Sequence, residues 1–343
     1  MSATFTHLTF SGAPAARGHA YGESLRERIA ATYALYADSL FSGTALTTTA
    51  LGERAARVRE LIATFAPAYV EELDAVAAGS GLPAWQIYTL NARTEILNAP
   101  IPECTAAYFA ATATLGQNWD WVAALEDLAV LVTWELENGR RILALTEPGM
   151  LGKIGFNDAG IGVCLNILFS AHELDGIPVH VLTRMVLDCT TLDEARALML
   201  RSGLGKSSHL LVADANGACC SMEFAAGERF EVAANDGVLV HTNHCIAPAA
   251  HDKAARIPTT VERLDQATAH VSGMTHRDPR AMKTMLLDDS RGACSINMAH
   301  HPEPLLDNQP VGTCATVIME LAARRMQIKR GPGSADTFTT FRL

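Results

Sequence analysis

The chain of 343 residues lacks any apolar run approaching the roughly 18–20 residues that cross a bilayer, which excludes a helical membrane protein. It opens MSATFTHLTF, with no basic stretch followed by an apolar one, so no export signal is expected. Positive charge is scarce: 27 Lys and Arg stand against 37 Asp and Glu, a net charge of −10. Nucleic-acid phosphates and anionic membranes need clustered cations, so neither partner is expected. Internal repeats and low-complexity blocks are missing. None of the eight cysteines (Cys104, Cys164, Cys189, Cys219, Cys220, Cys245, Cys294 and Cys314) forms a CxxC pair. A chain this long is not the small exported type that depends on disulfides. The cysteines are expected to be reduced thiols in a cytoplasmic protein, mostly buried as small hydrophobes. Hydrophobic residues at 49% and charged residues at 19% supply ample core and no signature of disorder.

The first hundred residues read mostly as helix. Val58, Leu61, Ile62 and Phe65 recur at helical spacing. Pro67 opens a second helix that Gly79 and Gly81 end, and Pro83 starts a third running toward Ile96. Asn98, Pro100 and Pro102 then predict an extended segment before Cys104, which would open the first strand. From there short apolar runs alternate with turns, at 105–114, 127–136, 141–146, 153–157 and 161–168. Helix returns over 178–203. Strands resume at Ser207–Asp214, Ala218–Phe224, Arg229–Ala233 and Val238–Thr242. Helices near 258–271 and 278–287 precede a last hairpin, Thr313–Glu320 and Met326–Arg330. Few βαβ units occur, so the order predicts largely antiparallel sheets covered by helices, an α+β layered domain.

Chemistry gathers around Cys104. It lies in Glu103-Cys104-Thr105-Ala106-Ala107-Tyr108, followed by Gly116-Gln117-Asn118-Trp119-Asp120-Trp121, read as a loop carrying an acid between two tryptophans. Further stretches belong with these: Leu90-Asn91-Ala92-Arg93-Thr94-Glu95, Gly155-Phe156-Asn157 with Gly160, Ser207-Ser208 before Asp214, and His241-Thr242-Asn243-His244. In combination they resemble the isopenicillin N acyltransferase family of self-processing N-terminal-nucleophile enzymes.

The resemblance implies a four-layer αββα sandwich. It also implies that the precursor cuts itself between Glu103 and Cys104. An α chain, 1–103, and a β chain, 104–343, would then stay folded together as a heterodimer. A thiol and an α-amine on one residue place a nucleophile beside a base, with ordinary pKa values of about 8.5 and about 7.7–8.0. By match to the family pattern, Asn243 would donate to the oxyanion and Asp120 would hold the Cys104 amine by a charge-assisted hydrogen bond. Tyr108, Trp119, Trp121, Phe156, His244 and Ser295 are the candidate pocket residues; core packing is the plain alternative for the aromatics. Relatives carry Ser-Ile-Cys-Arg-His late in the chain, whereas this sequence reads Ser295-Ile296-Asn297-Met298-Ala299, with Met298 in the Arg position. A fixed cation is therefore missing there or borrowed, for example from Arg291. His244, His300 and His301 lack a second cluster at ligand spacing, so no metal and no cofactor is expected. The expected activity is hydrolysis of a small N-acyl amine through a thioester. The alternatives are acyl transfer from acyl-coenzyme A or an amide to an amine, and an unprocessed, non-catalytic binding protein.

Overall fold

The structure is a computed structural model that describes residues 4–44, 46–97, 104–170, 176–203, 205–250 and 257–343. Glu103 and the proline-rich segment before it lie outside the described residues. The helices of the first hundred residues are α1 (Pro14–Ser24), α2 (Arg26–Leu35), α3 (Thr48–Phe65), α4 (Pro67–Ser80), α5 (Ala84–Asn91) and α6 (Arg93–Leu97). They begin and end where local chemistry dictates. Thr47 caps α3 by accepting from Ala50 N, and Gly81, at φ 76°, takes the left-handed turn after α4. Later helices are α7 (Leu125–Leu128), α8 (Val179–Asp188), α9 (Leu192–Ser202), α10 (Pro258–Gly273) and α11 (Pro279–Leu286). Thr191 and Glu194 form a reciprocal capping box on α9.

The strands build two sheets. One contains β1 (Thr6–Gly12), β4 (Val130–Leu136), β5 (Arg141–Thr146), β6 (Ile154–Asn157), β7 (Gly162–Ile167), β8 (Ser208–Ala213), β9 (Cys219–Ala225) and β10 (Glu228–Glu231), in that spatial order. The other runs β11 (Val238–His241), β2 (Cys104–Phe109), β3 (Thr114–Val122), β13 (Gln309–Glu320), β14 (Arg325–Arg330) and β15 (Thr339–Arg342), with β12 (His301–Glu303) paired to β13. Among the described residues every pairing is antiparallel except β1 with β4.

The layers follow from which side chains meet. Helices α8 and α9 pack on β6 to β9; α1 joins them at Trp134 of β4, where Tyr21 and the Arg184 guanidinium converge, and α4 joins through Tyr69 and Glu72, which also meet Arg184. On the far side, Ala107, Phe109, Ile318, Met282, Met285 and Leu286 form a separate core between the second sheet and α10 and α11. The sheets face each other through β2, β3 and β7. The architecture is the expected αββα sandwich.

Two expectations are corrected. Cys104 does not open the first strand, because β1 precedes it and pairs with a strand more than 120 residues away. The stretch Gly116 to Trp121 is not a loop but the buried interior of β3. Polar residues there hide the strand because each finds its partner in a different layer. Gln117 faces the opposite sheet and donates to Leu165 O (2.5 Å) while accepting from Leu165 N (2.9 Å). Asn118 faces the helices and donates to Leu286 O and Ile296 O, both at 2.7 Å.

Candidate active site

Strand alternation decides which side of the second sheet each group occupies. A Cβ added at Gly162 would meet Leu115, so Leu115 and its cross-strand partner Tyr108 face the other sheet. Cys104 and Ala106 share that face with Tyr108, and Trp119 lies opposite Cys104 in the register. A Cβ at Gly116 would instead meet Met282 and Leu286 of α11, so Asn118 and Asp120 face the helices. The Cys104 thiol is therefore buried between the sheets. Across from it is Cys164 of β7, whose own thiol is pushed well up by burial and by its neighbour Cys104.

Backbone register also brings Asn243 to Cys104. His241 pairs with Ala106 on antiparallel β11 and β2, and two further steps put residue 243 beside residue 104. There Cys104 N donates to Asn243 Oδ1 (3.0 Å), while Asn243 Nδ2 donates to Ile167 O (3.0 Å) and fixes the amide's orientation. Below this loop, Glu223 Oε1 lies 2.8 Å from His241 Nε2 and accepts from Ile246 N at 2.6 Å. The His241 ring stacks on buried His209 with centroids 3.5 Å apart. His209 stays below its ordinary pKa, first through burial and then through His241.

Arg263 of α10 is the group that sequence reading missed. It is buried, and its Nη1 donates to Cys104 O (2.6 Å) and Thr105 Oγ1 (3.0 Å) while Nη2 donates to Asn243 Oδ1 (2.9 Å). Burial lowers its pKa, and Asp120 and Cys104 oppose that shift. The fixed cation at this site thus comes from α10 rather than from position 298 or Arg291. The signal was present: Thr260, Arg263, Gln266 and Ala267 form the buried stripe of an amphipathic helix, and an arginine on such a stripe needs partners.

The remaining candidates divide. Asp120 Oδ1 accepts from Thr313 Oγ1 (2.7 Å), whose oxygen accepts from Met298 N (2.8 Å). Position 298 therefore does reach Asp120, through its backbone. Lys153 Nζ lies 4.4 Å above the Trp119 ring, and Arg93 lies 5.0 Å from the ring of Trp121, whose Nε1 donates to Tyr36 OH. Both cations bind Glu147, at 2.9 Å and 2.8 Å. Phe156 pairs with Gly162 and so faces the inter-sheet space one strand beyond β7. Tyr108 lies farther along β2, near Asp214 O. His244 bonds Thr260 Oγ1 at the start of α10. Ser295 Oγ accepts from Arg291 N at 2.8 Å, closing a turn. An open groove between α10 and α11, lined by His270, His276, Asp288 and Arg291 among others, lies on the helix side of the sheet, away from the thiol.

The family described as "Acyl-coenzyme A:6-aminopenicillanic acid acyl-transferase" matches residues 110–334. A protein of Emericella nidulans, "Acyl-coenzyme A:6-aminopenicillanic-acid-acyltransferase 40 kDa form", is 30% identical over 249 residues, 70% of this chain and 69% of that one. Among solved structures, a mutant conjugated bile acid hydrolase from Clostridium perfringens superposes at TM-score 0.49 and 11% identity, over 71% of this chain and 92% of that one. A penicillin V acylase from Agrobacterium tumefaciens gives 0.36 and 12%, over 66% and 82%.

Proposed function

From a chain that belongs to the acyl-coenzyme A:6-aminopenicillanic acid acyl-transferase family, we propose a self-cleaving cysteine amidohydrolase. The observation that carries this reading is the seat of Cys104. Its N–H is held by Asn243 Oδ1, its carbonyl by Arg263, and its thiol points between the sheets. In the precursor, the thiol adds to the carbonyl of Glu103, the bond to Cys104 N breaks, and a thioester forms. Water then releases the 1–103 chain as a carboxylate and leaves a free thiol on an amino-terminal cysteine. In catalysis the new α-amine accepts the thiol proton, and sulfur adds to the substrate amide. The proton passes to the departing amine, and a thioester remains for water to hydrolyse.

Asn243 serves this sequence twice. Its Oδ1 orients the amine, and its Nδ2 amide, aligned by Ile167 O, is the proposed oxyanion donor, the role expected from the sequence. Arg263 is a positioning residue: it ties Asn243 to the nucleophile's backbone from the helix side. Asp120, tied to Thr313, supports the same end of the strand pair and offers a negative charge to the α-amine. Trp119, Trp121, Phe156 and Tyr108 would line the acyl pocket, since they share the inter-sheet space with the thiol.

Transfer of the acyl group to an amine is the second reading, and the name of the Emericella relative favours it. Both share the thioester and differ in what resolves it. Denaturing electrophoresis of purified protein should show two bands, near one third and two thirds of the mass, the larger beginning at Cys104. An unbroken chain in active material overturns the proposal. Product released from an N-acyl amine in water alone supports hydrolysis, whereas product formed only with a second amine supports transfer.

A further inference from the structure

Three side chains outside the acyl site converge although sequence spacing gives no hint of it. Glu126 stands on α7, just after β3. His300 lies before β12. Cys314 sits in β13 where its register with β3 shifts between Thr313 and Ala315. One ligand atom from each falls within 4.8 Å of the other two. Glu126 Oε1 lies 2.7 Å from His300 Nε2, yet this buried oxygen accepts no hydrogen bond among the described residues. A ring N–H is therefore not aimed along that line; a protonated imidazole holds the pair by charge alone, and with a neutral ring a shared cation would hold the same two atoms. Cys314 Sγ is buried and lies within donating distance of Val122 O (3.5 Å) and Gly312 O (3.7 Å), ordinary lengths for sulfur.

Two glycines leave room for these ligands. A Cβ at Gly312 would stand 2.7 Å from His300 Cδ2, and one at Gly331 would stand 3.0 Å from Glu126 Oε2. Arg330 lies 3.9 Å from Glu126 Oε2 but is also paired with Asp127, so its charge is balanced locally.

We propose that Glu126, His300 and Cys314 bind one zinc-class divalent cation. A thiolate, an imidazole and a carboxylate with a fourth position for water is a donor set that zinc favours. Ion–ligand lengths of about 2.0–2.3 Å put neighbouring ligands about 3.3–3.7 Å apart, so small shifts, chiefly of half-exposed His300, close the shell. The ion replaces the proton of the Cys314 thiol, which leaves to water, and the thiolate and carboxylate charges then cancel the cation's. Cys314 adjoins Thr313, which holds Asp120, so occupancy also braces that carboxylate. The site stands whether or not the acyl chemistry does, since coordination is read without substrate.

The test is cobalt titration of chelator-treated, full-length protein. One equivalent of Co²⁺ should produce a thiolate-to-cobalt charge-transfer band and tetrahedral ligand-field absorption, both displaced by Zn²⁺. Cys314→Ser should abolish the charge-transfer band. His300→Gln, at a partly exposed position, should weaken binding tenfold or more while the protein stays folded. Cys104→Ala should leave the band intact. Absence of a one-equivalent band overturns the proposal, as does a band that Cys104→Ala removes and Cys314→Ser keeps.

Discussion

A single guanidinium joins the Cys104 carbonyl, the Thr105 hydroxyl and the Asn243 amide through three hydrogen bonds. A lysine cannot reproduce that fork. Arg263→Lys should therefore lower kcat by about 10²-fold, the scale of a misplaced reacting group, while KM changes little, because Arg263 lies on the opposite side of the sheet from the thiol. An unchanged kcat would deny it a positioning role. Cys104→Ala should leave the chain uncut and inactive, measured by intact mass and by amine release. The meeting of Cys104 with Asn243 was foreshadowed by the family resemblance, which the Cys-Thr and Thr-Asn-His elements carry. Arg263 was not, because a cation inside an amphipathic stripe looks like a gap in the pattern until its partners, far away in the chain, are known.

Helices α1 and α4 cross so closely that side chains are excluded at the contact. A Cβ at Gly79 would strike His19 O, and one at Gly22 would strike Val76 O, both backbone atoms that cannot rotate away. Gly79→Ala should destabilise the fold by about 1–3 kcal/mol, the range of overpacking, seen as a lower unfolding midpoint in urea. A neutral effect would mean the helices separate without cost. Legibility at this scale followed the partner's distance. Helices α3 and α4 stood where apolar spacing, Pro67 and the closing glycines put them, while the third, read as running on toward Ile96, breaks at Ala92 into α5 and α6. Strand β3 was missed because Gln117, Asn118 and Asp120 are satisfied in other layers, so no apolar alternation marks it. Strand β1 was missed because what makes it a strand is β4, which local pattern cannot foresee.

Across the whole molecule, the segment ahead of residue 98 is bound to the rest by buried ion pairs. Burial pushes the Glu147 carboxyl up, but Arg93 and then Lys153 more than reverse this and hold it below the usual carboxylate range. For Glu72, burial is likewise outweighed, by Arg184 and then Arg17. Because these folded values are depressed, their stabilisation is complete above the unfolded pKa of about 4.3 and is lost as pH falls below it through the folded values. If the chain is cut as proposed, acid should therefore loosen the two pieces from each other. Size-exclusion chromatography should show one species at neutral pH and separated chains in strong acid. Glu147→Gln should cost about 3–5 kcal/mol at neutral pH by stranding two buried cations, and should flatten the acid dependence of the unfolding temperature. A steep acid dependence in that variant would place its origin elsewhere. The layered architecture was legible from element order alone, whereas these cross-layer pairs were not, since neither partner announces the other.

The parallel zipper of β1 along β4 has a consequence for assembly. If the backbone is severed ahead of Cys104, the leading fragment remains woven into the trailing fragment's sheet along residues Thr6–Gly12. Scission then alters covalency but not topology, and it must come after folding. Fragments made separately would have to find each other by a second-order encounter, so their reconstitution should depend on dilution whereas maturation of the intact precursor should not.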